Sequence, residues 1–88
     1  MQEYRDKLDE LDCQMAILFE ERMETVKKIA EYKKKNSIPI TDSNRENEVV
    51  LKNCKHIKDK SIVPYYNKFI KNVISLSKEL QNEELLWK

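Results

Sequence analysis

An all-α fold is predicted by three features of this 88-residue chain: it has no Gly and only two Pro, residues that favour helices dominate it, and its apolar residues recur at helical spacing. Strands joined by tight turns would need turn residues that the chain lacks. Three helices are expected, one long, one short and one medium, in a single domain spanning 1–88. A chain of this length is close to the lower limit at which one hydrophobic core offsets chain entropy, so self-association is expected.

The long helix comes first, from about Glu3 to Lys35, in a stretch free of Gly and Pro. At ~1.5 Å per residue it would extend about 50 Å, more than the diameter of a globule of this size. On a wheel of about 100° per residue, Leu8, Leu11, Met15, Leu18, Val26 and Ile29 fall within an arc of roughly 80°. Arg22 and Lys33 fall in the middle of that arc, where a helix built only to pack would carry Leu. The heptad-like spacing of Tyr4, Leu8, Leu11, Met15, Leu18, Thr25, Ile29 and Tyr32 suits a helix lying along a neighbour. An antiparallel coiled-coil dimer accounts for the length but not for the two cations.

Asn36 to Asp42, with Pro39 and Thr41, ends the long helix and forms the first connection. The short helix then starts at a capping-box pattern, Ser43-x-x-Glu46, or at Asp42 as an alternative N-cap. Its apolar positions are Val49, Val50, Cys54 and Ile57. Glu46 projects near that side with Arg45 next to it, and His56 sits late in the helix among lysines, as a solvated residue. Lys58 to Ser61 forms the second connection, and Pro64 suits the first turn of the medium helix. That helix runs to about Glu84. Phe69, Ile70, Val73, Leu76 and Leu80 form its buried stripe, and Ser77 and Gln81 lie one turn apart at the edge of the stripe. Leu85, Leu86 and Trp87 form an apolar tail.

Charge narrows the function classes. Lys and Arg number 17 against 16 Asp and Glu, which gives no general attraction to nucleic acid or to an anionic membrane. No stretch approaches the ~20 apolar residues of a membrane span. The N-terminus is charged from residue 3 onward, so no signal peptide is expected and the chain is placed in the cytoplasm. Cys13 and Cys54 have no CxxC or His partner spacing and are expected to be reduced core or boundary thiols; no metal or cofactor is expected.

Six polar residues lie on or beside the apolar stripes: Arg22 and Lys33 of the first helix, Arg45 and Glu46 of the second, Ser77 and Gln81 of the third. A charge taken out of water costs several kcal/mol unless it is paired or meets a ligand. Cations dominate this set, which points to an anionic ligand, most simply one with carboxylates that Arg can grip in bidentate fashion. Arg5 lies ~25 Å along the helix from Arg22. An antiparallel partner helix crossing near Met15 to Ala16 would bring the other chain's Arg5 to the level between Arg22 and Lys33, completing two equivalent sites about a two-fold axis.

The segments Arg5-Asp-Lys-Leu-Asp-Glu-Leu-Asp12, Glu21-Arg22, Ala30-Glu-Tyr-Lys33 and Pro39-Ile-Thr-Asp42-Ser-Asn-Arg45-Glu46, with Ser77 and Gln81 four residues apart, resemble the all-helical AroQ class of chorismate mutases over about residues 3 to 83. The resemblance implies an intertwined homodimer that converts chorismate to prephenate in phenylalanine and tyrosine biosynthesis. It implies that Arg22 and the partner's Arg5 bind the two substrate carboxylates. Lys33 and Gln81 would flank the ether oxygen, Glu46 with the backbone near Asp42 would take the ring hydroxyl, and Arg45 and Ser77 would support the polar wall. Lys33, Gln81, Arg22 and Glu46 are then the catalytic set, and the chain is expected to be monofunctional. Two other functions fit the same helices: a lyase eliminating pyruvate from isochorismate, and a non-catalytic helical dimerisation module.

Overall fold

High helix propensity without a breaker carries the first helix, α1, unbroken from Gln2 to Lys35. The computed structural model describes the backbone of residues 1–87 and the side chains of residues 1–83. After α1 come α2 (Ser43–Cys54), a 3-10 turn (Lys60–Ile62) and α3 (Val63–Trp87), with no strand among the described residues. The molecule measures 51 × 24 × 15 Å. Its long dimension is that of the 34-residue α1 at ~1.5 Å per residue.

Local capping sets the boundaries. Beyond α1 the N–H of Ile38 returns to the carbonyl of Lys33 at 2.9 Å and that of Ser37 to Lys34 at 3.4 Å, which satisfies two orphan helix carbonyls. The motif needs a left-handed residue, and Ser37 supplies it with φ 54° in a chain that has no Gly. At the start of α2, Asp42 Oδ1 accepts the N–H of Arg45 at 3.0 Å, so Asp42 rather than Ser43 is the N-cap.

The short helix ends earlier than the sequence suggests. Ile57 and His56 lie beyond it, and His56 is exposed. Lys60 Nζ donates to the carbonyls of Ile57 at 2.6 Å and Cys54 at 3.4 Å, and Asp59 accepts the hydroxyl of Ser61 at 2.6 Å and its N–H at 3.0 Å. These bonds satisfy the end of α2 and start the 3-10 turn together. They hold the Asp59 carboxyl below its ordinary value, the Ser61 hydroxyl bond first. Pro64 falls in the first turn of α3 as expected, and α3 continues past Glu84 to Trp87. The side chains of the Leu85-Leu86-Trp87 tail lie outside the described residues.

Contacts along α1 and α3 ascend together, from Met15 near Phe69 to Arg22 bonded to Ser77, so the two helices run parallel. Those of α2 descend, from Glu46 paired with Lys78 to Cys54 Sγ donating to Asn67 Oδ1 at 3.0 Å, so α2 runs antiparallel to α3. Burial beside Cys54 pushes the Tyr66 phenol above its usual value. Both α1 and α2 pack on α3, but not on each other.

The buried apolar side chains among the described residues are Val26 and Ala30 of α1 with Ile70 and Val73 of α3. Ala30, at 1% exposure, is small enough to let α3 approach closely. Several sequence-based expectations need correction for the single chain. Phe69 and Leu76 of the α3 stripe and Cys13 are exposed rather than buried; Leu8, Leu11, Met15, Leu18 and Ile29 of the α1 stripe, expected to lie along a neighbour, are exposed in the single chain as well. The cause is geometric: α1 and α2 both pack on α3 but not on each other, which leaves the opposite side of α1 and α3 uncovered. Ser77 and Gln81 go the other way, being buried at 6% and 7% exposure rather than set at an edge. The chain exposes 7404 Å². A compact monomer of its mass would expose about 5,500 Å².

Candidate active site

Because α1 and α2 touch α3 but not each other, they leave a cleft floored by α3 and closed at one end by the first connection. Its volume is about 190 Å³, and it opens to solvent. Small-molecule pockets usually start near ~300 Å³, so this cleft is small for a complete site. Arg22 and Lys33 contribute from α1, Asp42 from the connection, Arg45 and Glu46 from α2, and Ser77 and Gln81 from α3. Val26, Ile29, Ile40, Val49 and Ile74 form the apolar lining between them.

The cations are held in place before any ligand arrives. Arg22 is half-buried and donates to the Ser77 hydroxyl, which itself donates to the Val73 carbonyl at 2.8 Å. That chain of bonds fixes one guanidinium N–H and leaves the fork's remaining donors for a ligand. Lys33 Nζ donates to the Ile40 carbonyl at 2.8 Å, which ties α1 to the connection and spends one of three ammonium donors. Arg45 lines the cleft, but its guanidinium is engaged by Glu48 at 3.2 Å on the exposed side. Its backbone N–H is the one that Asp42 caps.

The acceptors and amides are less settled. Glu46 Oε1 is ion-paired with Lys78 Nζ but accepts no well-directed hydrogen bond, so the contact is one of charge. Gln81 Nε2 makes a long 3.4 Å contact to the Ser77 carbonyl, and its Oε1 is buried without a partner. A long bond costs little to give up, and the amide has a second N–H to offer.

One expected residue is absent from the cleft. Arg5 lies on the exposed first turn of α1, 17 positions before Arg22 and so ~25 Å from it, beyond the reach of its side chain. One charged cleft residue was not foreseen. Lys78 lines the floor next to Ser77 and pairs with Glu46 from α2. The sequence signal was its spacing, four residues after Ile74 and three before Gln81, which puts all three on one face of α3. With Lys78 included, the cleft holds four cations, Arg22, Lys33, Arg45 and Lys78, against two carboxylates, Asp42 and Glu46.

A sequence model described as chorismate mutase type II matches residues 4–82. The chain belongs to the chorismate mutase type II family. The match takes in every candidate site residue, from Arg5 to Gln81. Comparison with curated proteins and with solved structures gave no match. For a chorismate mutase fold, a cleft with a net excess of cations suits a dicarboxylate ligand. Among the described residues, no group of three or more His, Cys, Asp and Glu side chains is placed to hold a metal ion, and no helix is long and apolar enough to cross a membrane.

Proposed function

We propose that the chain catalyses the Claisen rearrangement of chorismate to prephenate as an intertwined homodimer. The observation that carries this is the convergence of eight polar residues, from three helices and the first connection, on one cleft with surplus positive charge, in a chain of this family. The rearrangement is unimolecular. It needs an extended dicarboxylate held in a compact reactive conformer and donors aimed at the oxygen that gains charge as the C–O bond breaks.

Arg22, oriented by Ser77, grips one carboxylate in bidentate fashion, and the partner's Arg5 takes the other. Lys33 and Gln81 donate to the ether oxygen. Lys33 is held on the α1 side by the Ile40 carbonyl, while Gln81 on the floor has only its long contact to the Ser77 carbonyl to give up. Glu46 and the capped Asp42 turn accept the ring hydroxyl, while Arg45 closes the polar wall. Ile29, Ile74 and Val49 pack the ring and lower the local dielectric, which strengthens each charge contact.

The uncovered surface supports the dimer. The chain exposes about 1,900 Å² beyond what a compact monomer of its mass would show. Burying that area on two chains falls within the ~2,000–5,000 Å² of obligate dimer interfaces. A partner helix antiparallel to α1 would cover Leu8, Leu11, Met15 and Leu18 and add the missing wall. That chemistry places the enzyme in aromatic amino acid biosynthesis, with the cytoplasm as its proposed location. The test is loss of chorismate absorbance with prephenate as product and no added cofactor. A purified dimer inactive under those conditions would overturn the proposal, and pyruvate with salicylate as main products from isochorismate would replace it with the lyase.

A further inference from the structure

The ion pair between Lys78 and Glu46 joins α3 to α2 across the floor of the cleft. Both side chains are mostly covered, at 35% and 24% exposure, so they have lost much of their hydration. On the far side of the pair lies a second groove of about 240 Å³, lined by Asn47, Val50, Lys71, Ser75 and the cleft residues Glu46, Ile74 and Lys78. Glu46 and Lys78 therefore form the partition between cleft and groove.

Glu46 has two directions open to it. One oxygen is buried and accepts no directed hydrogen bond, so what holds the carboxylate is the charge of its neighbour. A covered carboxylate deprived of its cation relaxes toward water or toward the nearest remaining positive charge. In the groove that charge is Lys71. Movement toward Lys71 would take the carboxylate out of the cleft, away from Arg22 and Gln81.

We infer that Lys78 is a positioning residue: it acts through Glu46, holding that carboxylate turned into the cleft so that it can accept the substrate hydroxyl. The inference rests on the mutase function proposed above. Lys78 need not touch substrate for this role. A Lys suits it, since its compact ammonium centres on one carboxylate oxygen and leaves the carboxylate otherwise unclamped, whereas a bidentate fork would engage both oxygens.

The test is steady-state kinetics with chorismate on Lys78→Met, Lys78→Arg, Lys71→Met, Glu46→Gln and the Glu46→Gln/Lys78→Met double variant, with thermal melting of each. Lys78→Met is expected to lower kcat/KM by about tenfold and to lower the melting temperature, because a covered carboxylate loses its cation. Lys78→Arg keeps the charge but engages both oxygens, so it should recover only part of that loss, to about threefold below wild type. In the Glu46→Gln background, adding Lys78→Met should change kcat/KM by less than about twofold, because the group it positions has been replaced. Lys71→Met should leave the kinetics unchanged. An active wild type with Lys78→Met equal to it would overturn the inference alone. Effects that multiply in the double variant would also overturn it, because Lys78 would then act on substrate directly. An inactive wild type would overturn both the inference and the mutase proposal.

Discussion

The two halves of α1 carry the same apolar stripe and meet different fates. From Arg22 to Lys33 this side of the helix packs on α3 and borders the cleft: Val26 and the neighbouring Ala30 are buried, Ile29 lines the cleft, and the two interrupting cations are tied to Ser77 and the Ile40 carbonyl. From Tyr4 to Leu18 the stripe lies open, with Leu18 62% exposed, and Arg5 extends from the same bare half. A periodic pattern thus marks a face that will be covered without saying by what. In the second half the cover is this chain's own α3. In the first it is, on the proposal above, a second copy.

The largest expected effect is at Arg22. Arg22→Ala should lower kcat/KM by about a hundredfold or more, near 3 kcal/mol of barrier, because it removes a preset charge contact. The melting temperature should hold or rise, since a half-buried cation has gone. A large loss of stability would instead mark Arg22 as a structural residue of the covered half.

Next comes the open half. Leu11→Glu changes an exposed side chain and in an isolated chain should cost no more than about 0.5 kcal/mol. If a second copy covers this stripe, the variant should sediment as a monomer and lose activity although Leu11 lies outside the cleft. A variant that is active and unchanged in mass would separate the open half from function.

Smaller effects test the frame that holds the covered half in place. Ser37 occupies a left-handed position that Gly adopts without a Cβ clash. Ser37→Gly should therefore raise stability by up to about 1 kcal/mol in denaturant titration and leave kcat unchanged. The smallest effect is at Asp59, which is fully exposed. Its carboxyl is lowered from 3.8 by the Ser61 bonds, so the folded chain releases that proton more readily than the unfolded one. The resulting stability is present above pH 3.8 and lost as pH falls through the folded value. Melting curves of wild type and Asp59→Asn should differ above that pH and converge below it.

How much of this was legible in the sequence varied with the kind of signal. Helix number and order followed from the missing breakers. Arg22 and Lys33 stood out because a charge inside an apolar arc is costly unless it is used. Asp42, Arg45 and Glu46 were found together because they are close in sequence and follow a cap. Burial depth was not legible: periodicity gives a face but not the distance to the next element, so Ser77 and Gln81 were placed at an edge, and Phe69 and Leu76 in the core. Lys78 was hidden as one cation among 17 Lys and Arg. Its pairing depends on how α2 lies on α3, which no local pattern encodes. The end of α2 was set by Lys60, a side chain that reaches back from beyond the helix.

The central claim is that each cleft is half a site, completed by Arg5 of a second chain. The direct measurement mixes Arg5→Ala and Arg22→Ala chains after unfolding and refolding together. Each variant alone should be nearly inactive. If sites are shared, half of the random dimers are mixed and each has one intact site, so activity should return to about a quarter of wild type. Activity no greater than the sum of the two separate variants would contradict the shared site.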